Sequence, residues 1–288
     1  MDTSDLAKRM KEYEAVSKTR LVRRMPVIMR LDGRAFHTFT RGFQRPFDDV
    51  LVQSMQDTMK YLCENIQGCV LGYTQSDEIT LVLVDYQALN SQPWFNGEVQ
   101  KIVSISASMA TMAFNKFFIE NAREFIDKVY ETRDAELICG YDDYMTTLQD
   151  AVYKGAMFDS RVFNIPKEDV TNCVYWRQLD ASRNSIQMVG QANFPRKELH
   201  KKTCNEIQDM LMLQKGINWN DIPTHLKRGS CCIKEKYFVP DVNGTEYEDI
   251  DGTGEFTQGR YRSRWIIDKE IPIFKGDGRE YIEKLINF

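Results

Sequence analysis

The chain has 288 residues and a net charge of −4; 42% of its residues are hydrophobic and 28% charged. That is the balance of a soluble globular protein, long enough for one large domain or two smaller ones, and it argues against nucleic-acid binding by bulk charge. Seven cysteines without a C-x-x-C pair indicate a reducing compartment rather than a disulfide framework or a structural zinc. No apolar run approaches the roughly 20 residues of a membrane span. The first residues lack a basic segment leading into an apolar one, so the expectation is a cytoplasmic protein with no membrane association. Positive charge is local: Arg20, Arg23 and Arg24 form one cluster, Arg196 to Lys202 a second, and Arg260, Arg262 and Arg264 a third. Each alone reads as a solvated face, but three together on an acidic chain leave a polyanion partner open, because phosphates need only local Lys and Arg.

In chain order, helical spacing over residues 6–16 predicts an opening helix. A mostly apolar run over 26–31 reads as a buried strand ended by Asp32-Gly33, where glycine permits close backbone approach. A helix over 50–66 follows, with Asp48 or Asp49 as N-cap. Residues 69–73 and 79–84 form the strands of a hairpin around a polar turn carrying Asp77 and Glu78. Small residues from Ser104 to Ala113 line a second long helix over 99–118. Residues 137–154 read as mixed helix and loop, and 160–165 as a fourth strand stopped by Pro166. Strand, helix, hairpin, helix, strand is the order of an α+β fold with helices on one face of an antiparallel sheet. The remainder reads as helices over 167–187 and 197–213, a loop over 223–229, hairpin signals at Asn243-Gly244 and 252–254, short strands, and a closing helix over 279–286. A boundary near Pro166 separates residues 1–165 from 166–288, unless the two halves share one core.

The hairpin turn, taken alone, is an ordinary polar turn, since turns favour Asp and Ser. A second carboxylate upstream gives it a partner. If the two strands adjoin, Asp32, Asp77 and the Gly33 carbonyl converge at the sheet edge. Hard oxygen ligands in that number suit Mg²⁺ completed by substrate phosphates, and two such ions serve phosphoryl transfer. Asp-Gly is also a common turn dipeptide, so spacing alone leaves both readings open. No P-loop, dinucleotide fingerprint or nucleophile elbow occurs. The three histidines, His37, His200 and His225, lack metal-ligand spacing, and His37 between Phe36 and Phe39 reads as a packed ring.

Arg30-Leu31-Asp32-Gly33-Arg34-Ala35-Phe36-His37-Thr38-Phe39 resembles the R-[IL]-D-G-R-x-F-H-x-F signature of the tRNA-His guanylyltransferase superfamily, and Tyr73 to Glu78 resembles its Y-x-Q-S-D-E signature. Similarity continues at Arg9 to Glu14, Phe158 to Val162 and Trp176 to Asp180, so the resemblance covers at least the first 190 residues. It implies a polymerase-palm-like catalytic domain over 1–165, with 166–288 contacting tRNA and building a homotetramer. It also implies nucleotide addition in the 3′–5′ direction at the 5′ end of tRNA, after ATP-dependent activation of a 5′-monophosphate. Carried over by motif, Asp32 and Asp77, with the Gly33 carbonyl, would hold two Mg²⁺ ions, and Glu78 belongs to the same motif and counts with them as a catalytic residue whose individual role the motif leaves open. Arg34, Ala35, Phe36, His37 and Ser76 would border the nucleoside triphosphate, with Arg45 and Lys101 neutralising phosphate charge. Arg23, Arg24, Arg177, Asn184, Lys227 and Arg228 are the candidate tRNA contacts.

Two departures bear on the branch. Enzymes that add the extra G to tRNA-His carry H-I-N-N-L-Y-N after W-R-Q-x-D, whereas Ala181-Ser182-Arg183-Asn184-Ser185 stands here, which resembles the Thg1-like branch and its templated repair of truncated 5′ ends. Glu98 lies near where some relatives carry a phosphate-binding Arg. Addition of the extra G, and an inactive module binding RNA 5′ ends, are the alternatives.

Overall fold

The structure, a computed structural model, describes residues 4–240, 246–248, 255–257 and 259–287. Helix α1 (Asp5–Val16) starts at the Ser4 N-cap and buries none of its residues. Strand β1 (Val27–Gly33) leads through a one-turn helix α2 (Phe36–Phe39) into α3 (Asp49–Asn65). Asp48 is the α3 N-cap: its Oδ1 accepts the Leu51 amide at 2.9 Å. The hairpin is β2 (Cys69–Gln75) and β3 (Glu78–Leu83), joined by the two-residue turn Ser76-Asp77. Next come α4 (Val99–Glu131), α5 (Ala135–Lys154) and β4 (Phe158–Asn164). The second half comprises α6 (Val170–Asn193), α7 (Arg196–Leu199), α8 (Cys204–Lys215), α9 (Thr224–Arg228) and β5 (Ser230–Pro240). The small pair β6 (Glu246–Glu248) and β7 (Glu255–Thr257) precedes β8 (Gly259–Asp268) and α10 (Glu280–Ile286).

Six strands form one antiparallel sheet in the order β4-β1-β3-β2-β5-β8. This is the α+β architecture expected from the sequence. Strands from both sides of residue 165 share it, because β5 pairs with β2 through Cys231 and Tyr73. Alternation divides the side chains between two faces. Met29, Leu31, Ile79, Leu81 and Leu83 pack against α3, α4 and α5, with Phe36, Phe39, Phe43, Phe114, Phe118 and Phe158 forming an aromatic cluster in that layer. Ile28, Tyr73 and Val82 turn the other way, toward Val170 and Val174 of α6 and Ile282 and Ile286 of α10. Helices therefore cover the second face as well as the first. A third cluster joins Ile186 and Val189 of α6 to Ile207 and Leu211 of α8.

Four segments differ from the expectation. Residues 135–154 form one continuous helix, started by Asp134, whose Oδ1 accepts the Glu136 and Leu137 amides. Helix α4 runs on to Glu131 because α5 gives its charged second half a surface to pack on, with Phe125 against Tyr141 and Tyr144. The single helix expected over 197–213 is two, since Thr203 and Glu206 close a capping box that restarts the chain as α8. The 223–229 loop contains the short helix α9. The hairpin signals at Asn243-Gly244 and 252–254 lie outside the described residues.

By length and composition α4 could cross a membrane, with a mean hydropathy of 1.4 over its most apolar window. Its buried stripe, including Ala110, Phe114 and Phe118, belongs to the core. Its polar groups are tied to neighbouring elements: Ser106 Oγ donates to Ser160 Oγ at 2.8 Å, and Asn115 Nδ2 donates to the Ala156 carbonyl at 2.9 Å.

Candidate active site

The sheet brings three chain segments to one end. The register sets Asp32 directly between Glu78 of β3 and Asp159 of β4, so three carboxylates stand in a row on one face. Asp77 follows in the hairpin turn, where Ser76 takes a left-handed φ of 50° and its hydroxyl donates to Asp77 Oδ1 at 3.1 Å. The Gly33 amide donates to the Asp77 carbonyl at 3.0 Å, which ties the end of β1 to the turn. The strands do adjoin, and Asp32 and Asp77 lie at the same end of the sheet.

Burial first, and then the charges of Glu78 and Asp159, push the Asp32 carboxyl above the usual carboxylate range. Burial likewise raises Asp77, with Asp32 adding to the effect against hydrogen bonds from its backbone amide and Ser76. Among the described residues the Asp32 carboxylate accepts no hydrogen bond. Crowded, under-solvated carboxylates of this kind are relieved by a cation. No three acidic, His or Cys side chains among the described residues group closely enough to cage a metal alone. Two carboxylates and a backbone carbonyl fit Mg²⁺, which keeps waters and takes substrate phosphates as its remaining ligands.

Beside this end opens a cleft of about 480 Å³, lined by Gly33, Ala35, Phe36, His37, Arg45, Ser76 and Asp77, with Asp48, Met188 and Gln191 on its walls. The cleft thus gathers seven of the residues carried over by motif. His37 is exposed toward it while Phe36 and Phe39 pack below, so the packed-ring reading of His37 does not hold. Arg34 is exposed beside the cleft without lining it.

Other candidates lie elsewhere. Lys101 sits on the first turn of α4, with its ammonium over the Phe95 ring at 5.0 Å. Its neighbour Ile102 packs at the Val27–Leu83 end of the sheet, whereas Thr111 meets Phe158 at the carboxylate end. Ten residues of helix hold these two ends about 15 Å apart. Arg23 and Arg24 also sit at the far end, on Asn96 and Asp85. Arg177 is buried and binds Glu78 and Asp180, and buried Lys227 donates to the Asn220 carbonyl, so neither presents a free cation to RNA. Arg228 lies over Trp219, and Asn184 lines a narrow pocket next to the cleft.

Glu78 is enclosed as well: both of its oxygens accept hydrogen bonds from arginines. Sequence reasoning missed Asp159 and the walls formed by Met188 and Gln191. Asp159 lies in a stretch noted for family similarity, but only the β1–β4 register sets it beside Asp32.

Comparison with known proteins agrees with the geometry. Residues 7–166 match the family described as Thg1, tRNAHis guanylyltransferase. A bacterial tRNA(His) guanylyltransferase (Thg1)-like protein in complex with ATP superposes with a TM-score of 0.75 at 40% identity, over 98% of this chain and 99% of that one. The same kind of protein in complex with GTP gives a TM-score of 0.72 at 37% identity, over 99% and 100% of the chains. The tRNA(His) guanylyltransferase of Saccharomyces cerevisiae is 24% identical over 73% of this chain and 82% of its own. The chain belongs to the tRNA-His guanylyltransferase family of nucleotidyltransferases.

Proposed function

We propose that the chain adds nucleotides in the 3′–5′ direction to the 5′ end of truncated tRNA, templated by the opposite strand. The observation that carries this is that Gly33 and Asp77 line a cleft shared with the family's nucleotide motif, with Asp32 next to Gly33 at the same end of the sheet. Repair is favoured over addition of the extra G by Ser182 in place of the motif histidine and by the likeness to the bacterial Thg1-like protein along nearly the whole chain.

Asp32 and Asp77, with the Gly33 carbonyl, would hold two Mg²⁺ ions, which would supply charge neutralisation of the triphosphate. The chain's own groups bind and orient. Arg45 and His37 face the phosphates across the cleft, the Ser76 hydroxyl fixes the Asp77 carboxylate, and the Phe36 cluster keeps the Gly33 backbone rigid. ATP activates the 5′-monophosphate as an adenylylated end with loss of pyrophosphate; the 3′-hydroxyl of the incoming nucleotide then attacks that phosphorus and AMP leaves. Basic clusters remote from the cleft, at Arg23-Arg24 and Arg260 to Arg264, suit a tRNA that spans subunits of a homotetramer in the cytoplasm.

The test is a 5′-monophosphorylated tRNA lacking its first nucleotide, supplied with ATP, Mg²⁺ and each nucleoside triphosphate in turn. Extension by the templated base alone is expected, and its absence overturns the reading. An intact tRNA-His lacking the extra G, run beside it, reports guanylyl addition instead; no turnover on either substrate leaves the inactive binding module.

A further inference from the structure

Glu78 follows Asp77 and opposes Asp32 across the β1–β3 ladder, a position that invites a third metal ligand. Its surroundings say otherwise. Glu78 is 4% exposed. Its Oε2 accepts from Arg30 Nη2 at 2.7 Å, and its Oε1 accepts from Arg177 Nε at 2.7 Å, Thr80 Oγ1 at 3.2 Å and Arg30 Nε at 3.3 Å. Arg177 continues through Nη2 to Asp180 Oδ2 at 2.8 Å. Both guanidinium groups lie against the Trp176 ring, at 5.4 Å for Arg30 and 4.5 Å for Arg177. Arg183 binds the other oxygen of Asp180, so three guanidinium groups surround the two carboxylates, and the bracket joins β1, β3 and α6 beside the site.

We infer that Glu78 is a positioning residue: with Arg30 and Arg177 it clamps α6 to the strand ends that carry Asp32 and Asp77, and it does not ligate the catalytic cation. A cation drawn to Glu78 would have to break its pairs with Arg30 and Arg177 and leave the part-buried Arg30 without its carboxylate, which costs more than one further carboxylate contact returns. Asp32, by contrast, has no side-chain hydrogen-bond partner among the described residues. The inference rests on the proposed reading that Asp32 and Asp77 hold the divalent ion, and the test separates the two.

The full chain is titrated with Mn²⁺ followed by electron paramagnetic resonance, for wild type, Asp32→Asn, Glu78→Gln and Arg177→Lys, with turnover measured alongside. Asp32→Asn is expected to lose about 10- to 100-fold in Mn²⁺ affinity. Glu78→Gln keeps affinity within about threefold while kcat falls about 10- to 100-fold, a split that a ligand would not give. Arg177→Lys, which cannot reach Glu78 and Asp180 together, reproduces the Glu78→Gln pattern and serves where that variant folds poorly, as judged by thermal melting. Loss of Mn²⁺ affinity in Glu78→Gln or Arg177→Lys as large as in Asp32→Asn overturns the inference, as does wild-type kcat in both. Wild-type affinity in Asp32→Asn overturns the metal reading itself and the inference with it.

Discussion

A β-carbon placed on Gly33 would lie 2.3 Å from the Phe36 ring. Phe36 is itself wedged against Phe39, Phe114 and Phe158, with ring centroids 5.1 to 5.5 Å away. The glycine is therefore set by contact: the end of β1 must pass over an immobile ring to bring its backbone to Asp77.

Replacing Gly33 by Ala forces either the ring or the strand end to move. The expected cost is about 1–3 kcal/mol in a denaturant titration, accompanied by a fall in nucleotide affinity. A variant with wild-type stability and affinity would show that the contact is slack.

For Asp77→Asn the expectation is different, since the turn lies at one end of the strands and the substitution keeps the side chain's size. Stability should hold while turnover falls by about two to three orders of magnitude. Single-turnover assays at saturating nucleotide check this, and near-wild-type rates would remove Asp77 from the chemistry.

The Tyr144 hydroxyl donates to Asp48 Oδ2 at 2.7 Å and joins α5 to the start of α3. Tyr144→Phe should cost about 1–2 kcal/mol. Burial already holds the Asp48 carboxyl above the usual range, and losing a donor raises it further. An acid whose folded value is raised loses stability as pH rises through that value. The deficit of Tyr144→Phe should therefore be larger at pH 8 than at pH 4, in urea titrations at both.

Glu206 receives the Thr203 backbone amide, Lys202 and the Thr203 hydroxyl, which hold its carboxyl down to about 2. With the folded value below the unfolded one, this contribution is complete above the ordinary 4.5 and is lost as pH falls toward 2. Carbon-13 titration of the Glu206 carboxyl should show that midpoint. Thr203→Ala should raise it and destabilise α8 by about 1 kcal/mol.

Local pattern was enough for most single elements. The Asp48 cap, the 69–84 hairpin and the small-residue stripe of α4 each obey rules that act within one or two turns of chain. Helix α5 escaped because its apolar residues make sense only against Phe125 and the far half of α4, a surface no local window contains. The break before α8 was legible in principle, since Thr203 and Glu206 stand at capping-box spacing.

The site divides the same way. By itself the sequence determined the chemistry: Asp32-Gly33 and Ser76-Asp77 at two strand ends, in letters specific enough to assign a family. Only the tertiary structure decided which neighbours share that chemistry. Antiparallel register put Asp159 beside Asp32, and the packing of α6 gave the Glu78 carboxylate to Arg30 and Arg177. Ten residues of helix held Lys101 at the opposite end of the sheet. Residue type and spacing along the chain carry no record of what lies across a strand or under a helix, and those distances determine whether a charge meets a substrate, a metal or another side chain.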